Sequence, residues 1–461
     1  MTRFFLTALA TLALAASSSA AKKPNIVIIF ADDLGYGDLS CFGHPTIKTP
    51  NLDRLAANGQ KWTSFYAAAC VCTPSRAALL TGRYPIRNGM CSNRRRVLFP
   101  NSAGGLPSTE ITIATGLKKA GYATAAVGKW HLGHLPQFLP TSHGFDSYFG
   151  IPYSNDMDKA KKTNHFTLAE TEDFAGYNVP LMRDTEIVER PADQRTITRR
   201  YTTEATTFID TNSDRPFFLY LAHNLPHIPL FRSAGFKNTS TAGIYGDVIE
   251  EIDWSVGQIH AALEKNAIAD NTLLVFTSDN GPWLSFKTHG GSAGLLRDGK
   301  GSTWEGGMRE PTVFSWPGKI KPGIVHAMGS TLDLFPTAMA LAGLPVPAGR
   351  TYDGNDLTPV IFGSGPSPRD EMFYYHGERV YAVRKGAYKA HFLTKTSYTG
   401  QREPVIHNPP LLFNLDHDPS EKHNIASAHP EVVQQLTTLV GDHTASVTPV
   451  ENNLELQLKK N

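Results

Sequence analysis

The chain has 461 residues and an almost balanced charge, with 44 Lys and Arg against 42 Asp and Glu and a formal net charge of +2. This length is too great for one small core and sufficient for a large α/β domain with a smaller one beside it. The balance gives no argument for a nucleic-acid partner, and none is expected. Any anion must therefore be recognised by charge concentrated in a pocket.

Residues 1–21 have the composition of a secretory leader. Arg3 supplies a positive charge, residues 4–16 are apolar, and small residues at 18–21 offer a cleavage site. The apolar run is too short to span a membrane comfortably, and no later segment is apolar enough to do so. We therefore expect a periplasmic or secreted protein with no membrane anchor.

Apolar segments that favour β-strands alternate with helical patterns between residues 22 and 345. Strands are predicted at 25–30, 123–127, 216–222 and 272–277, and helices at 51–58, 112–120 and 245–266. The continuous apolar run at 25–30 is typical of a strand buried on both faces. The alternation predicts an α/β domain over 22–345, with a large mixed, mostly parallel sheet flanked by helices.

The composition changes near residues 343–355, where proline and glycine accumulate. Beyond this boundary, short strands are predicted at 372–375, 379–384, 388–393 and 411–415. Pro430 then begins an amphipathic helix with Val433, Leu436 and Val440 on one face. Residues 346–461 are therefore predicted to form a small antiparallel-sheet-and-helix subdomain that caps the main domain.

A short helix is predicted to begin at the segment Cys72-Thr-Pro-Ser-Arg76. Pro74 suits the first helical position, and Gly82 is placed to end the helix. Cys72 then lies at or just before a helix N-terminus, where free N–H groups favour an anion. Arg76 follows by one turn, so its guanidinium can return to the same end. A nucleophile beside a planar cation suits a tetrahedral oxyanion such as sulfate or phosphate.

Polar residues follow each of the four predicted strands of the main domain. They are Asp32 and Asp33, Lys129 and His131, His223 and His227, and Asp279 and Asn280. Ligands of open α/β sheets bind just beyond the carboxyl ends of the strands, so these residues are predicted to form one site. The oxygen donors among them suit Ca²⁺ or Mg²⁺ rather than zinc.

The segment from Cys72 to Arg83 resembles the signature of the sulfatase family, Cys-x-Pro-Ser-Arg followed by Thr-Gly-Arg. Residues 25–37, 128–133 and 411–415 resemble further motifs of that family. Residues 150–154 and 299–307 resemble segments of its arylsulfatase A and N-acetylgalactosamine-6-sulfatase branch. The resemblance implies an alkaline-phosphatase-like fold and hydrolysis of sulfate monoesters on a sulfated carbohydrate or aryl sulfate. It also implies that a maturation enzyme converts Cys72 to formylglycine, an aldehyde whose hydrate is the nucleophile.

The resemblance assigns a role to individual residues of this chain. Asp32, Asp33, Asp279 and Asn280 would hold calcium, with magnesium the less favoured ion, together with the formylglycine derived from Cys72. Arg76 and Lys129 would stabilise the ionised hydrate, and His131 would be the base that collapses the sulfated hydrate. His227 and Lys300 would bind the sulfate beside Lys129 and protonate the leaving oxygen, with Ser154 as an auxiliary contact.

Two other functions remain open. A phosphatase, phosphodiesterase or phosphonate hydrolase of the same fold is disfavoured because those relatives commonly use two metals, whereas Lys129, His131 and Lys300 accompany a single-metal ligand set here. A non-catalytic glycan-binding protein would be expected to have lost Cys72, Arg76 or a metal ligand, and none is lost. The charge run at 94–96 is interpreted as a solvated loop, although it could guide an acidic glycan to the cleft.

Overall fold

The computed structural model describes residues 22–160, 164–397, 403–448 and 450–459, so the predicted leader lies outside the described residues. Within that part of the chain, an 11-stranded sheet forms the centre of the molecule. Its strands are β1 (Asn25–Ala31), β2 (Gln60–Tyr66), β3 (Ala123–Gly128), β4 (Ser147–Gly150), β5 (Leu181–Arg183), β6 (Glu186–Glu189), β7 (Phe217–Ala222), β8 (Thr272–Ser278), β9 (Arg309–Ser315), β10 (Gly323–Val325) and β11 (Gly329–Ser330).

The spatial order of the large sheet is β10-β2-β9-β8-β1-β7-β3-β4-β5-β6, and β11 also pairs with β2. The central strands β8, β1, β7, β3 and β4 run parallel to one another, whereas β9, β5 and β6 are antiparallel to their neighbours. The four strands predicted from the apolar segments are therefore adjacent, and their carboxyl ends meet at one edge of the sheet.

Helices cover both faces of this sheet. They are α1 (Pro50–Asn58), α2 (Cys72–Thr81), α3 (Ile113–Lys118), α4 (His165–Thr171), α5 (Ile197–Thr211), α6 (Gly243–Lys265), α7 (Glu305–Met308), α8 (Leu334–Leu341) and α9 (Thr358–Ile361). Val27 and Ile29 of β1 pack in the core formed with α1, α5 and α6, and Ile28 and Phe30 pack with α2, α3 and α8. Both faces of β1 are thus apolar because both are buried.

Helix α2 begins at Cys72 itself, with extended Val71 as its N-cap. Pro74 is consequently the third helical residue, and its predicted place in the first position was wrong. The first turn tolerates proline because N–H groups there have no acceptor within the helix. Gly82 ends α2 as expected, with φ of 66° and its N–H donating to Ala78 O at 2.8 Å.

A separate four-stranded antiparallel sheet follows, in the order β12 (Glu371–His376), β13 (Arg379–Lys385), β14 (Tyr388–Thr394) and β15 (Val405–Asn414). The last helix, α10 (Pro430–Ala445), buries Val433 and Leu436 against it, and Val440 is half-buried there. Ala78 of α2 belongs to the same apolar cluster, so the helix that begins with Cys72 lies between the two sheets.

A buried group of charges joins the second sheet to the first. Lys389 of β14 donates to Glu305 Oε1 at 2.9 Å and to Thr303 O at 2.9 Å, and its Nζ lies 3.0 Å from Glu421 Oε1. All of its charged members are fully buried, with side-chain exposures of 0%. His391 Nε2 also contacts Glu421, at 2.7 Å. These contacts fix the segment that leads from Lys300 into α7.

The architecture confirms the predicted fold class, a mixed and mostly parallel large sheet flanked by helices with a small antiparallel sheet near the C-terminus. Among the described residues, no helix combines the length and apolar character needed to cross a bilayer.

Candidate active site

The predicted site residues converge at the carboxyl edge of the central strands. Asp32 and Asp33 follow β1, Lys129 and His131 follow β3, His227 follows β7, and Asp279 and Asn280 follow β8. Asp33 and His131 both adopt left-handed backbone conformations, with φ of 64° and 59°. Such conformations are uncommon for residues other than glycine and concentrate at functional sites, where they turn a side chain sharply out of a strand end.

Cys72 is the first residue of α2 and is 2% exposed. Its Sγ lies 3.5 Å from Lys300 Nζ, which also contacts the Asp33 carboxylate at 2.7 Å. Burial raises the pKa of the Cys72 thiol strongly, and the nearby Lys129 and Lys300 only partly oppose that effect. The unmodified side chain is therefore a neutral thiol at pH 7, which is a poor nucleophile.

Arg76 connects α2 to the acidic residues of the site. Its Nε and Nη2 donate to Asp279 Oδ2 at 3.1 and 2.8 Å, and its Nη1 donates to Lys129 O at 3.0 Å. Nη2 also lies 3.6 Å from Asp32 Oδ1. Arg76 is fully buried, and its guanidinium lies 5.4 Å from the centre of the Phe30 ring. This side chain therefore holds β1, β3 and β8 in register around the nucleophile position.

Lys129 forms the second buried ion pair, with Nζ 2.5 Å from Asp32 Oδ2. The same Nζ donates to Ser154 Oγ at 3.2 Å, which places Ser154 beside the charged residues as predicted. Burial works to raise the pKa of Asp32, but the charges of Lys129, Arg76 and Lys300 hold it well below its usual value. Asp32 is therefore ionised at neutral pH.

The two histidines differ in which ring nitrogen is engaged. His131 Nε2 lies 2.9 Å from Leu98 O, and His227 Nδ1 lies 2.6 Å from Ile228 O. Because a carbonyl oxygen only accepts, each of these nitrogens carries the proton of a neutral ring. Burial is the largest influence that lowers both pKa values well below the usual range, so both rings are neutral at pH 7.

The remaining nitrogen of each histidine is a proton acceptor. His131 Nδ1 is buried and has no hydrogen-bond partner among the described residues. His227 Nε2 lies 3.6 Å from Asp33 Oδ2, and its ring centre lies 5.2 Å from that of Trp283. Each histidine thus presents one basic nitrogen that the fold does not use elsewhere.

The donor set fits a hard divalent cation. Ligand atoms of Asp32, Asp33, Cys72 and His227 all lie within 4.8 Å of one another. Within the described part of the chain, Asp32 Oδ1 and Asn280 Oδ1 are buried oxygens without a hydrogen-bond donor. Burial raises the pKa of Asp33 to about 6 and that of Asp279 to about 7, with Asp32 adding to both shifts. A cation would relieve this uncompensated desolvation.

The sequence analysis did not predict His227 as a candidate metal ligand. Its position next to Asp33 depends on how β7 packs beside β1, which local sequence patterns do not show. Asp279, in turn, is engaged by Arg76 and accepts a hydrogen bond from the Asp33 N–H at 3.1 Å. Asn280 Nδ2 donates to Asp33 Oδ1 at 2.8 Å. The structure therefore brings all five predicted ligand positions together.

His223 lies away from these groups. Its Nε2 lies 3.3 Å from Ser255 Oγ of α6, a contact that fits a structural role. A cavity of about 350 Å³ opens above Cys72, His131, Ser154, His227 and Lys300. Sequence reasoning missed most of its outer wall, which consists of Val97, Phe99, Asp156, Met157, Trp283 and the arginines at 94–96. Of these residues, only Trp283 could have been predicted from the sequence, because it follows the carboxyl end of β8 closely, as other predicted site residues do.

Comparison with known proteins identifies the class first: the matching family models and the curated relatives named below are sulfatases. A family model described as Sulfatase matches residues 24–344, and one described as the C-terminal region of aryl-sulfatase matches residues 367–460. The chain belongs to the sulfatase family and is a sulfuric ester hydrolase.

Curated relatives match over nearly the whole length. Human arylsulfatase A is 45% identical over 93% of this chain and 89% of its own. N-acetylgalactosamine-6-sulfatase from Canis lupus familiaris is 42% identical, over 95% and 89%.

Solved structures show the same likeness in three dimensions. The PsFucS1 sulfatase from Pseudoalteromonas sp. has a TM-score of 0.82 at 29% identity, covering 92% of this chain and 90% of that one. Ps i-CgsB, in complex with k-i-k-neocarrahexaose, has a TM-score of 0.77 at 32% identity, covering 95% of both chains. A phosphonate monoester hydrolase from Agrobacterium radiobacter, at 21% identity and a TM-score of 0.62, shares the fold alone.

Proposed function

We propose that this protein removes sulfate from sulfated sugars or polysaccharide fragments, with a formylglycine derived from Cys72 as nucleophile and a bound calcium ion. The observation that carries the proposal is the placement of Cys72. Its Sγ lies at the N-terminus of α2, 3.5 Å from Lys300 Nζ and among three buried carboxylates and three buried cations. A sulfate bound there would meet both the helix dipole and fixed positive charge.

The thiol itself does not explain the reaction, because burial keeps it protonated. Formylglycine at position 72 would supply a hydrate with two hydroxyls, so that one attacks sulfur and the other allows sulfate to leave without attack by water. The formation of this group requires a maturation enzyme that acts on the Cys72–Arg76 segment.

Calcium would be held by Asp32, Asp33, Asp279 and Asn280 together with residue 72. When bound, it would supply positive charge to the nucleophile and to the sulfate oxygens. The three carboxylates already match the charges of Arg76, Lys129 and Lys300. A divalent cation would therefore be balanced by the product sulfate dianion, which the same pocket must hold.

The lysines and histidines of the site would bind the sulfate and transfer the protons. Lys300, with Nζ 3.5 Å from Cys72 Sγ, would contact the oxygens of a sulfate at residue 72, and Lys129, held on Asp32, would add its charge beside it. His131 Nδ1, which the Leu98 carbonyl leaves as the free acceptor, would take a proton from the nucleophile side. His227 Nε2 would give a proton to the leaving sugar oxygen, because a sulfate beside it favours the protonated ring.

The organisation of the whole chain is part of the proposal. Residues 1–21 would direct export to the periplasm or outside the cell, residues 22–345 would form the catalytic domain, and residues 346–461 would form the C-terminal subdomain. The relatives named N-acetylgalactosamine-6-sulfatase and PsFucS1 sulfatase support a sugar as the group that carries the sulfate.

The experiment compares hydrolysis of nitrophenyl sulfate and nitrophenyl phosphate by the mature protein, followed by a screen of defined sulfated mono- and oligosaccharides. We expect sulfate to be preferred and Cys72→Ala to abolish turnover. Cys70→Ala is the matched control, since Cys70 is buried two residues away and its Sγ donates to Tyr375 O, at 3.9 Å. Faster hydrolysis of the phosphate ester would contradict the proposal and favour the phosphatase alternative.

A further inference from the structure

Three consecutive arginines form part of the wall of the active-site cavity. Arg94, Arg95 and Arg96 line the same space of about 350 Å³ as Cys72 and Lys300. Arg94 and Arg96 are exposed, as expected for a solvated loop, and the same run also lines the wall of this cavity. In a chain whose overall charge is nearly balanced, this is a local concentration of positive charge beyond the groups that the sulfate itself requires.

The loop that carries these arginines is fixed directly to the catalytic residues. The Leu98 carbonyl accepts from His131 Nε2 at 2.9 Å, and the Leu98 N–H donates to Thr73 Oγ1 at 3.2 Å. At the other end of the loop, Ser92 Oγ accepts from the N–H groups of Arg94 and Arg95 at 2.9 and 3.1 Å. The backbone of the arginine run is therefore held at both ends, so its position relative to residue 72 is set before substrate arrives.

The side chains of the run are arranged differently. Arg95 is held over the Phe99 ring at 4.9 Å, and its Nη2 donates to Asn101 Oδ1 at 2.8 Å. Arg94 is 85% exposed, and its Nη1 lies 3.7 Å from Glu455 Oε2. An exposed ion pair of this kind contributes little to stability, so an anionic ligand can replace Glu455 at little cost. Asp156 also lines the cavity, and it is an acidic residue that is not among the predicted metal ligands.

We propose that Arg94–Arg96 form a second anion subsite, which binds a sulfate or carboxylate group of the substrate other than the sulfate that is hydrolysed. This inference rests on the proposed function and names its substrate class: sugars with at least two negative charges close together. Guanidinium groups suit this task because their planar donors match the oxygens of both sulfate and carboxylate. Phe99 and Trp283 of the same wall offer apolar surface for the sugar ring between the two anions.

The test measures kcat/KM for a hexose monosulfate, the same hexose with a second sulfate, and a monosulfated disaccharide that contains a uronic acid. Wild-type protein is expected to prefer the doubly charged sugars, with a preference that falls as salt is raised. Replacing Arg94→Gln and Arg96→Gln together should lower the ratio of doubly to singly charged sugars about tenfold, mainly through KM. The variant with lysine at both positions should retain part of the preference because it keeps the charge.

Arg54→Gln is the control for the loss of an arginine charge, since it removes one positive charge from an exposed position on α1 outside the cavity, and it should leave the ratio unchanged. A second readout is competitive inhibition of nitrophenyl sulfate hydrolysis by the sugar product that retains its second anion. Its inhibition constant should rise about tenfold in the double glutamine variant.

The two doubly charged substrates show whether the second anion is a sulfate or a carboxylate. If the double glutamine variant loses kcat/KM for the disulfated hexose alone, the subsite binds sulfate. If it loses kcat/KM for the uronic acid disaccharide alone, the subsite binds carboxylate. An unchanged ratio in the double glutamine variant, or a wild-type enzyme without preference for doubly charged sugars, would overturn the inference. Failure of wild-type protein to hydrolyse nitrophenyl sulfate would refute the proposed function instead, so the two failures are distinguishable.

Discussion

Removal of the Lys389 charge by Lys389→Met should destabilise the protein and weaken the sulfate site together. Lys389 is fully buried between the two sheets, where it meets Glu305 at 2.9 Å and Glu421 at 3.0 Å and donates to Thr303 O. Its Nζ also lies 4.0 Å from the centre of the Tyr374 ring. Methionine fills a similar volume, but it leaves the two buried carboxylates without the positive charge of Lys389.

The expected loss of folding free energy depends on the hydrogen bonds that Glu305 and Glu421 keep after the substitution. Breaking a buried ion pair by removing one partner costs about 3–5 kcal/mol of folding free energy. Glu305 keeps hydrogen bonds from Tyr66 at 2.6 Å and from Tyr374 at 3.0 Å, and Glu421 keeps His391 at 2.7 Å. The lower end of the range, about 3 kcal/mol, is therefore expected. Loss of the contact to Thr303 O should also loosen the segment that holds Lys300 and lower kcat/KM.

The pH dependence provides a second signature. Burial alone would raise the pKa of Glu305, but Lys389 and the neighbouring arginines lower it to about 2. A depressed carboxyl pKa contributes stability that is present above the unfolded value near 4.5 and is lost as pH falls toward 2, and its size is on the order of 3 kcal/mol. The difference between wild type and Lys389→Met should therefore shrink below pH 4.5.

Urea unfolding followed by tryptophan fluorescence at pH 7, 4.5 and 3.5 measures this effect. Lys385→Met is the matched control, because Lys385 is 35% exposed on β13 and its ion pairs are 3.3 and 3.4 Å long. Its removal should change stability by less than about 1 kcal/mol. A loss below 1 kcal/mol for Lys389→Met at pH 7, or a loss that does not change with pH, would refute the reasoning.

The remaining predictions concern the reaction centre. The peptide that contains residue 72 should be lighter than its thiol form by the difference between cysteine and formylglycine, and fully active protein with only Cys72 would show that the proposed nucleophile is wrong. Asp279→Asn keeps an oxygen acceptor for Arg76 but removes a carboxylate, so bound calcium and activity should fall together in metal analysis while the fold is retained. Stoichiometric zinc in the active protein, without calcium or magnesium, would contradict the metal assignment. His227→Ala should reduce hydrolysis of sugar sulfates by about 10²–10⁴-fold and that of nitrophenyl sulfate far less, because nitrophenolate leaves without a proton. Equal losses for both leaving groups would move the role of general acid to Lys300.

Local sequence signals identified the four central strands of the large sheet, β1, β3, β7 and β8, and were poor at the ends of elements. The apolar run after Lys23 became β1 because both of its faces are buried, and that burial is visible in the composition of the strand. The helix predicted at 112–120 is shorter, from Ile113 to Lys118, with Thr112 as its N-cap. The exact end of a helix depends on capping contacts, and propensity patterns record these only weakly.

The site residues were found because parallel strands place their carboxyl ends at one edge, so sequence order alone brings Asp32, Lys129, His227 and Asp279 to one region. The division of roles among them stays a prediction. Atomic detail had no signal in the sequence: which nitrogen of His131 is free depends on Leu98, a residue of a loop that is distant from β3 along the chain.

The sequence by itself determined the four central strands of the large sheet, a short helix at the Cys72–Arg76 segment and the oxygen donors of the predicted site, because these follow from local periodicity and from the chemistry of the side chains. Tertiary structure alone decided that the arginines at 94–96 line the cavity and that Lys389 supports the segment of Lys300 from a second sheet. A run of charges looks the same whether it faces solvent or a substrate. The difference is made by contacts with residues far away in the chain, such as those of Leu98 with Thr73 and of Lys389 with Glu305.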